Sequence, residues 1–149
     1  MNVIVALDFS EVTRDVLEVV GRISATGSMK LYLVHVAEPD PDFVGWQAGP
    51  DVVRKQVAEE FRREHRQLDE MAKNLRQAGR AATALLVQGP IVETILDQAS
   101  DLEAGLIVVG SHGHGAAYDL VVGSISSGII RKSTVPVLVV PATGRRDRE

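Results

Sequence analysis

The run Val3-Ile4-Val5-Ala6-Leu7-Asp8-Phe9-Ser10-Glu11-Val12 decides the reading of the fold. Val3 to Leu7 is apolar without a polar break, which suits a strand buried on both faces rather than one facing water. Asp8 closes it. Ser10 stands where a helix N-cap belongs, and Glu11 follows in the first turn, where the helix dipole favours an acid. Val12, Val16, Val19, Val20 and Ile23 then recur at helical spacing, with Gly27, inside Ala25 to Ser28, as the expected stop. A two-sided strand that runs straight into an amphipathic helix is the first half of a β-α-β unit.

The same alternation continues along the chain. A second strand is predicted over Lys30 to Val36. Glu38 to Pro50 breaks the pattern with Pro39, Pro41, Pro50, Gly45, Gly49 and the only tryptophan, Trp46; it reads as a long loop, with Phe43, Val44 and Trp46 tucked over the core edge or forming a contact surface. Asp51 to Ala78 is a long amphipathic helix with Val53, Val57, Phe61, Leu68, Ala72 and Leu75 on one face, His65 at the boundary of that stripe, and Gly79 as its stop. Its charge-rich stretch Glu59 to Asp69 reads as a solvated face. Ala82 to Val87 is a third strand. Gly89-Pro90 opens a helix, with proline in the first turn where its missing N–H costs nothing; Ile91, Ile95, Ala99 and Leu102 face inward and Gly105 is expected to end it. Leu106 to Val109 is a fourth strand, Ser124 to Lys132 a fourth helix, and Val135 to Val140 a fifth strand. The charged residues 142–149 are expected to be a disordered tail after a single domain over residues 1–141.

Five apolar strands alternating with helices imply an α/β, Rossmann-like fold: an open parallel sheet with helices on both faces. Right-handed crossovers leave the strand orders 3-2-1-4-5 and 2-1-3-4-5 as the common solutions, with the former expected here. Ligands bind such sheets at the carboxyl ends of strands where the winding reverses.

Composition narrows the function. The 149 residues contain no cysteine, which excludes a disulfide framework, a thiolate metal site and a cysteine nucleophile. A net charge of −4 argues against an extended nucleic-acid or anionic-membrane surface. The apolar start is broken at Asp8 without a basic leader, and no stretch approaches the ~18 apolar residues of a membrane span, so a cytoplasmic protein is expected.

Chemistry concentrates at two predicted strand ends. Asp8 ends the first strand; Gly110 ends the fourth and begins Gly110-Ser111-His112-Gly113, with Gly123-Ser124 after nine further residues. In the order 3-2-1-4-5 these ends are neighbours. Glycines let backbone N–H groups approach an anion without a Cβ in the way, and the helix opening at Ser124 offers unpaired N–H groups and partial positive charge. The Ser124 hydroxyl suits a phosphate oxygen. Asp8 is an acceptor suited to ribose hydroxyls, and the backbone of Val36, at the end of the second strand, is placed to meet an adenine edge. Taken singly, Gly110-x-x-Gly113 is also an ordinary tight turn and Asp8 a helix cap.

The stretch Gly110-Ser-His-Gly-His-Gly, then Gly123-Ser-Ile-Ser126, then Pro136-Val-Leu-Val-Val140 resembles the universal stress protein family, whose ATP-binding members carry G-x-x-G, nine residues, then G-(S/T). Val3 to Glu11 and Leu33-Val-His-Val36 are similar to the family's first and second strands, so the resemblance spans residues 1–141. It implies an adenine-nucleotide-binding domain, usually a homodimer. By matching positions Asp8 would contact ribose, Val36 would pair with adenine, Gly110 would line the ribose side, and Gly113, Gly123, Ser124, Ile125 and Ser126 would hold the phosphates, with ATP accompanied by Mg²⁺. Phe9 departs from the family's pattern, which commonly has glycine there. A homodimer also follows from Val135 to Val140, an apolar edge strand that self-pairing would cover.

Catalysis is less well supported. No G-x-x-x-x-G-K-(S/T) occurs, so a phosphate-loop lysine is missing. Besides Tyr118, the ionisable groups of the glycine loop are His112, His114 and Asp119; the two histidines read as a phosphate-edge contact, an exposed turn or a poor metal pair. Binding with regulatory consequences is expected, with slow ATP hydrolysis as the alternative. A phospho-acceptor domain is disfavoured: Asp8 has no adjacent acid, Gln88-Gly89 follow the third strand, and no lysine lies nearer to Pro136 than Lys132.

Overall fold

In the computed structural model, which describes residues 1–37, 50–111 and 122–142, five parallel strands form one sheet: β1 (Asn2–Ala6), β2 (Lys30–Ala37), β3 (Ala81–Gln88), β4 (Ala104–Gly110) and β5 (Val137–Val140). Their order is β3-β2-β1-β4-β5, the expected doubly wound arrangement. The connecting helices are α1 (Val12–Ile23), α2 (Pro50–Gln77), α3 (Ile91–Asp101) and α4 (Ser124–Lys132), with a 3₁₀ turn at Ser24–Thr26. The loop from Glu38 to Gly49 with Trp46, the segment from His112 to Val121 and the tail from Thr143 lie outside the described residues.

Strand alternation splits the core into two layers. Val3, Val5, Leu7, Leu31, Leu33 and Val108 face α1 and α2, where Val12, Val16, Val20, Leu68 and Ala72 meet them. Ile4, Val34, Val36, Ile107 and Val109 face α3 and α4, against Ile95, Ala99 and Ile129. Both faces of β1, β2 and β4 are therefore covered, which is why those strands read as nearly unbroken apolar runs.

Several local expectations are corrected. Ser10 does not cap α1: its hydroxyl is buried with no hydrogen-bond partner, and the residue before the helix, Glu11, makes no side-chain cap. Asp8 takes the role upstream, its Oδ1 accepting the Ser10 N–H at 3.0 Å in an Asx-type turn. Gly79 does end α2, at φ +80°, with the Gly79 N–H donating to the Arg76 carbonyl and the Arg80 N–H to the Leu75 carbonyl, a Schellman closure. Gly105 does not end α3. That helix stops at Asp101, the chain turns through Glu103 at φ +47°, and Gly105 lies within β4 where the register to β1 slips between Asn2 and Val3. β5 starts later than expected because Val135 is held in a turn, its N–H donating to Ser133 Oγ at 3.1 Å, and Pro136 has no N–H to give the ladder. His65 is exposed; Glu64 takes the half-buried place between Phe61 and Leu68, since Met71 and Leu75 draw the buried stripe to its side.

Candidate functional site

The reversal of winding falls between β1 and β4. Val5 pairs with Val108, so the chain leaves both strands within a few residues of the same point, β1 through Leu7-Asp8-Phe9 and β4 through Gly110-Ser111. The N-terminus of α4 is drawn to that point by its own backbone. The Gly123 N–H donates to the Ser111 carbonyl at 2.7 Å, and the Ser111 N–H to the Val140 carbonyl at 2.8 Å. Gly123 is the residue before the helix, at φ −58° and ψ 161°; Ser124 and Ile125, the first two helical residues, are exposed. Asp8, Gly110, Gly123, Ser124 and Ile125 thus share the carboxyl end of the sheet, as the sequence reading requires. Gly113, with His112, His114, Tyr118 and Asp119, lies outside the described residues.

Val36 stands two residues beyond Val34 on the same edge of β2. The ladder to β1 ends at the Ala6–Val34 pair, with the Leu7 N–H on the Val34 carbonyl at 2.9 Å. Val36 therefore lies two residues past the last β1 pair, and its side chain is buried on the α3 side.

Two of the expected contacts have structural work as well. Ser126 is buried and its hydroxyl donates to the Gly110 carbonyl at 2.6 Å, which ties α4 to the end of β4. Gly110 faces α1: a Cβ there would lie 2.5 Å from Val12 Cγ1, so helix packing alone demands glycine. The Ser127 hydroxyl donates to the Val122 carbonyl at 3.2 Å, and its N–H to the Gly123 carbonyl at 2.9 Å. Among the described residues no cluster of three or more histidine or carboxylate side chains is arranged to hold a metal ion.

Sequence reasoning missed one part of the site. His35, on the α1–α2 face of β2, places Nδ1 2.8 Å from the Leu7 carbonyl and Nε2 3.6 Å from Glu64 Oε1 of α2. The Phe9 ring lies against its imidazole, centroids 4.4 Å apart, with Phe9 itself at φ +59°. The available signal was a lone ionisable residue in the otherwise apolar carboxyl end of β2.

An open parallel sheet whose winding reverses between β1 and β4, with a glycine, a helix N-terminus and an acid at that end, defines a Rossmann-like α/β protein. Comparison with known proteins makes this specific. The model of the universal stress protein family matches residues 1–141. A universal stress protein of Thermus aquaticus is 30% identical over 145 residues, covering 93% of this chain and 97% of that one. The chain belongs to the universal stress protein family. Among solved structures, UspA from Lactobacillus plantarum superimposes with a TM-score of 0.79 at 18% identity, covering 94% and 97% of the two chains. A universal stress protein in complex with cAMP gives 0.69 at 22% identity, covering 96% and 98%. No described helix is long and apolar enough to cross a membrane.

Proposed function

We propose that this chain binds an adenine nucleotide, ATP with Mg²⁺, in the crevice between the ends of β1 and β4, and acts in the cytoplasm as a homodimeric stress-response or signalling module. The observation that carries the reading is the anchoring of the α4 N-terminus beside Ser111, with Ser124 and Ile125 exposed there, because the first-turn N–H groups of a helix have no intrahelical partner. A family relative crystallised with cAMP supports the choice of adenine nucleotides.

In this reading Asp8 receives the ribose hydroxyls and the Val36 backbone pairs with the adenine edge. Gly113, Gly123, Ser124 and Ile125 hold the phosphates; Gly110 lines the ribose side. Ser126 contributes by fixing the helix to Gly110, since its hydroxyl is already donated. Mg²⁺ would sit on phosphate oxygens and water, neutralising charge between the phosphates. The domain spans residues 1–141, and pairing of β5 with its symmetry mate would cover the sheet edge that the strand order leaves at β5.

Mass spectrometry of the small molecules released from freshly purified protein tests the reading, with calorimetry of ATP binding. A stoichiometric adenine nucleotide, lost in Gly123→Val, is the expected result. Unchanged ATP affinity in that variant would remove the phosphate site from α4. Slow ATP hydrolysis is the competing reading; phosphate release well above about one turnover per minute under saturating ATP and Mg²⁺ would favour it.

A further inference from the structure

We propose that His35 is a positioning residue: through one hydrogen bond and one ring contact it sets the β1–α1 turn that carries Asp8. The proposal rests on the nucleotide reading for its consequence, but its geometry stands on contacts that involve no ligand.

The Leu7 carbonyl is an acceptor only, so at 2.8 Å His35 Nδ1 must carry the proton and donate it. Nε2 faces Glu64 Oε1 of α2 at 3.6 Å, beyond hydrogen-bond length, so the Leu7 bond and the Phe9 contact, not Glu64, hold the ring. Both side chains are largely shielded, 12% and 19% exposed. The donated proton lands on the residue immediately before Asp8. Phe9, immediately after it, holds a left-handed backbone at φ +59°, which a bulky L residue adopts only when its surroundings impose it. Its ring packs on the imidazole at 4.4 Å. Asp8 is therefore gripped from both chain neighbours by one side chain on the adjacent strand, while its own Oδ1 is turned back to the Ser10 N–H. Removing the imidazole releases the Leu7 carbonyl and the support under Phe9 together, and the carboxylate of Asp8 loses its fixed direction. Glycine at position 9 would adopt the same φ without help; with phenylalanine there, the chain depends on His35.

The test compares His35→Leu, which deletes the donor, with His35→Asn, whose amide N–H falls near the Nδ1 position, and with Glu64→Gln, a control that leaves the Leu7 bond in place. Titrations use ATP and, separately, inorganic tripolyphosphate, which has no ribose for Asp8 to meet. Expected for His35→Leu is about tenfold weaker ATP binding with tripolyphosphate affinity held within about twofold, and recovery to within about threefold in His35→Asn. Glu64→Gln should leave both affinities within about twofold, because the Leu7 bond and the Phe9 contact remain. Equal loss for both ligands, or equal loss in the leucine and asparagine variants, overturns the proposal. Should the parent protein fail to bind ATP, the nucleotide reading falls and the positioning role is still read by NMR: the His35 ring should be protonated at Nδ1, and the Ser10 amide, bonded to Asp8 Oδ1, should exchange faster in His35→Leu and recover in His35→Asn. An Nε2–H neutral tautomer, or unchanged Ser10 exchange, overturns it.

Discussion

Replacing Gly110 by alanine separates packing from ligand contact at the most informative glycine of the chain. The added methyl would sit 2.5 Å from Val12 Cγ1, 3.2 Å from Cγ2 and 3.4 Å from Cβ. Val12 is buried and begins α1, so the side chain has nowhere to swing, and the helix or the strand end must shift. Overpacking of this kind costs roughly 1–3 kcal/mol. Against it stands a gain of ~0.4–1 kcal/mol, because alanine restricts the unfolded chain and the backbone of Gly110 is ordinary strand. The net destabilisation is about 1–2 kcal/mol, which for a chain of 149 residues lowers Tm by roughly 3–8 °C. Val12→Ala alone loses two methyl groups, ~1.6 kcal/mol of transfer energy plus a cavity term. The double variant should be at least ~1 kcal/mol more stable than the sum of the two singles, because the new methyl enters the space that Val12 vacates. Gly105→Ala is the control: its nearest neighbours, Met1 Cγ and Sδ at 2.8 Å, belong to a flexible exposed side chain that can turn away, so the change should stay within about 0.5 kcal/mol. Urea and thermal unfolding of the ligand-free proteins measure all four. A G110A protein as stable as its parent, or strict additivity with V12A, would refute the packing argument and return Gly110 to a role in ligand contact alone.

Asp8→Ala is expected to weaken ATP binding tenfold or more while leaving tripolyphosphate affinity nearly unchanged, as calorimetry would show; parallel loss for both ligands contradicts a ribose contact. Ser126→Ala removes the hydroxyl that bonds the Gly110 carbonyl and should cost about 1 kcal/mol in ligand-free unfolding, whereas a serine acting only on phosphate would leave that stability untouched. Glu93 is held below its ordinary value of 4.5 by the hydrogen bond from Lys132 at 2.7 Å, then by its own backbone N–H at the start of α3 and by the lysine charge. Its folded value is the lower one, so its contribution is present above pH 4.5 and disappears as pH falls through the depressed value. Lys132→Met should move the Glu93 titration upward by NMR while changing neutral-pH stability little, because the pair is exposed.

The strand order was legible because two-sided burial leaves an unmistakable pattern: Val3 to Leu7 and Leu106 to Val109 have no polar break, and right-handed crossovers then leave few ways to wind them. Gly79 and the opening of α4 were legible for a local reason, since a left-handed closure and a helix start depend on near neighbours. Ser10, Gly105 and His65 were misread because their roles depend on what comes from elsewhere. Asp8 supplies the turn bond expected of Ser10, Glu103 takes the left-handed turn expected of Gly105, and the buried stripe of α2 slides toward Glu64.

By itself the sequence determined the class of fold, the strand order and the family resemblance, all of which rest on periodicity and spacing along the chain. Only the tertiary structure decided that Gly110 is pressed by Val12, that Ser126 spends its hydroxyl on Gly110, and that His35 reaches both Leu7 and Glu64. These are contacts between residues 16 to 98 positions apart in the chain or brought together across strands and helices, and a hydrogen bond or a steric clash is set by distance in space, which no local pattern encodes.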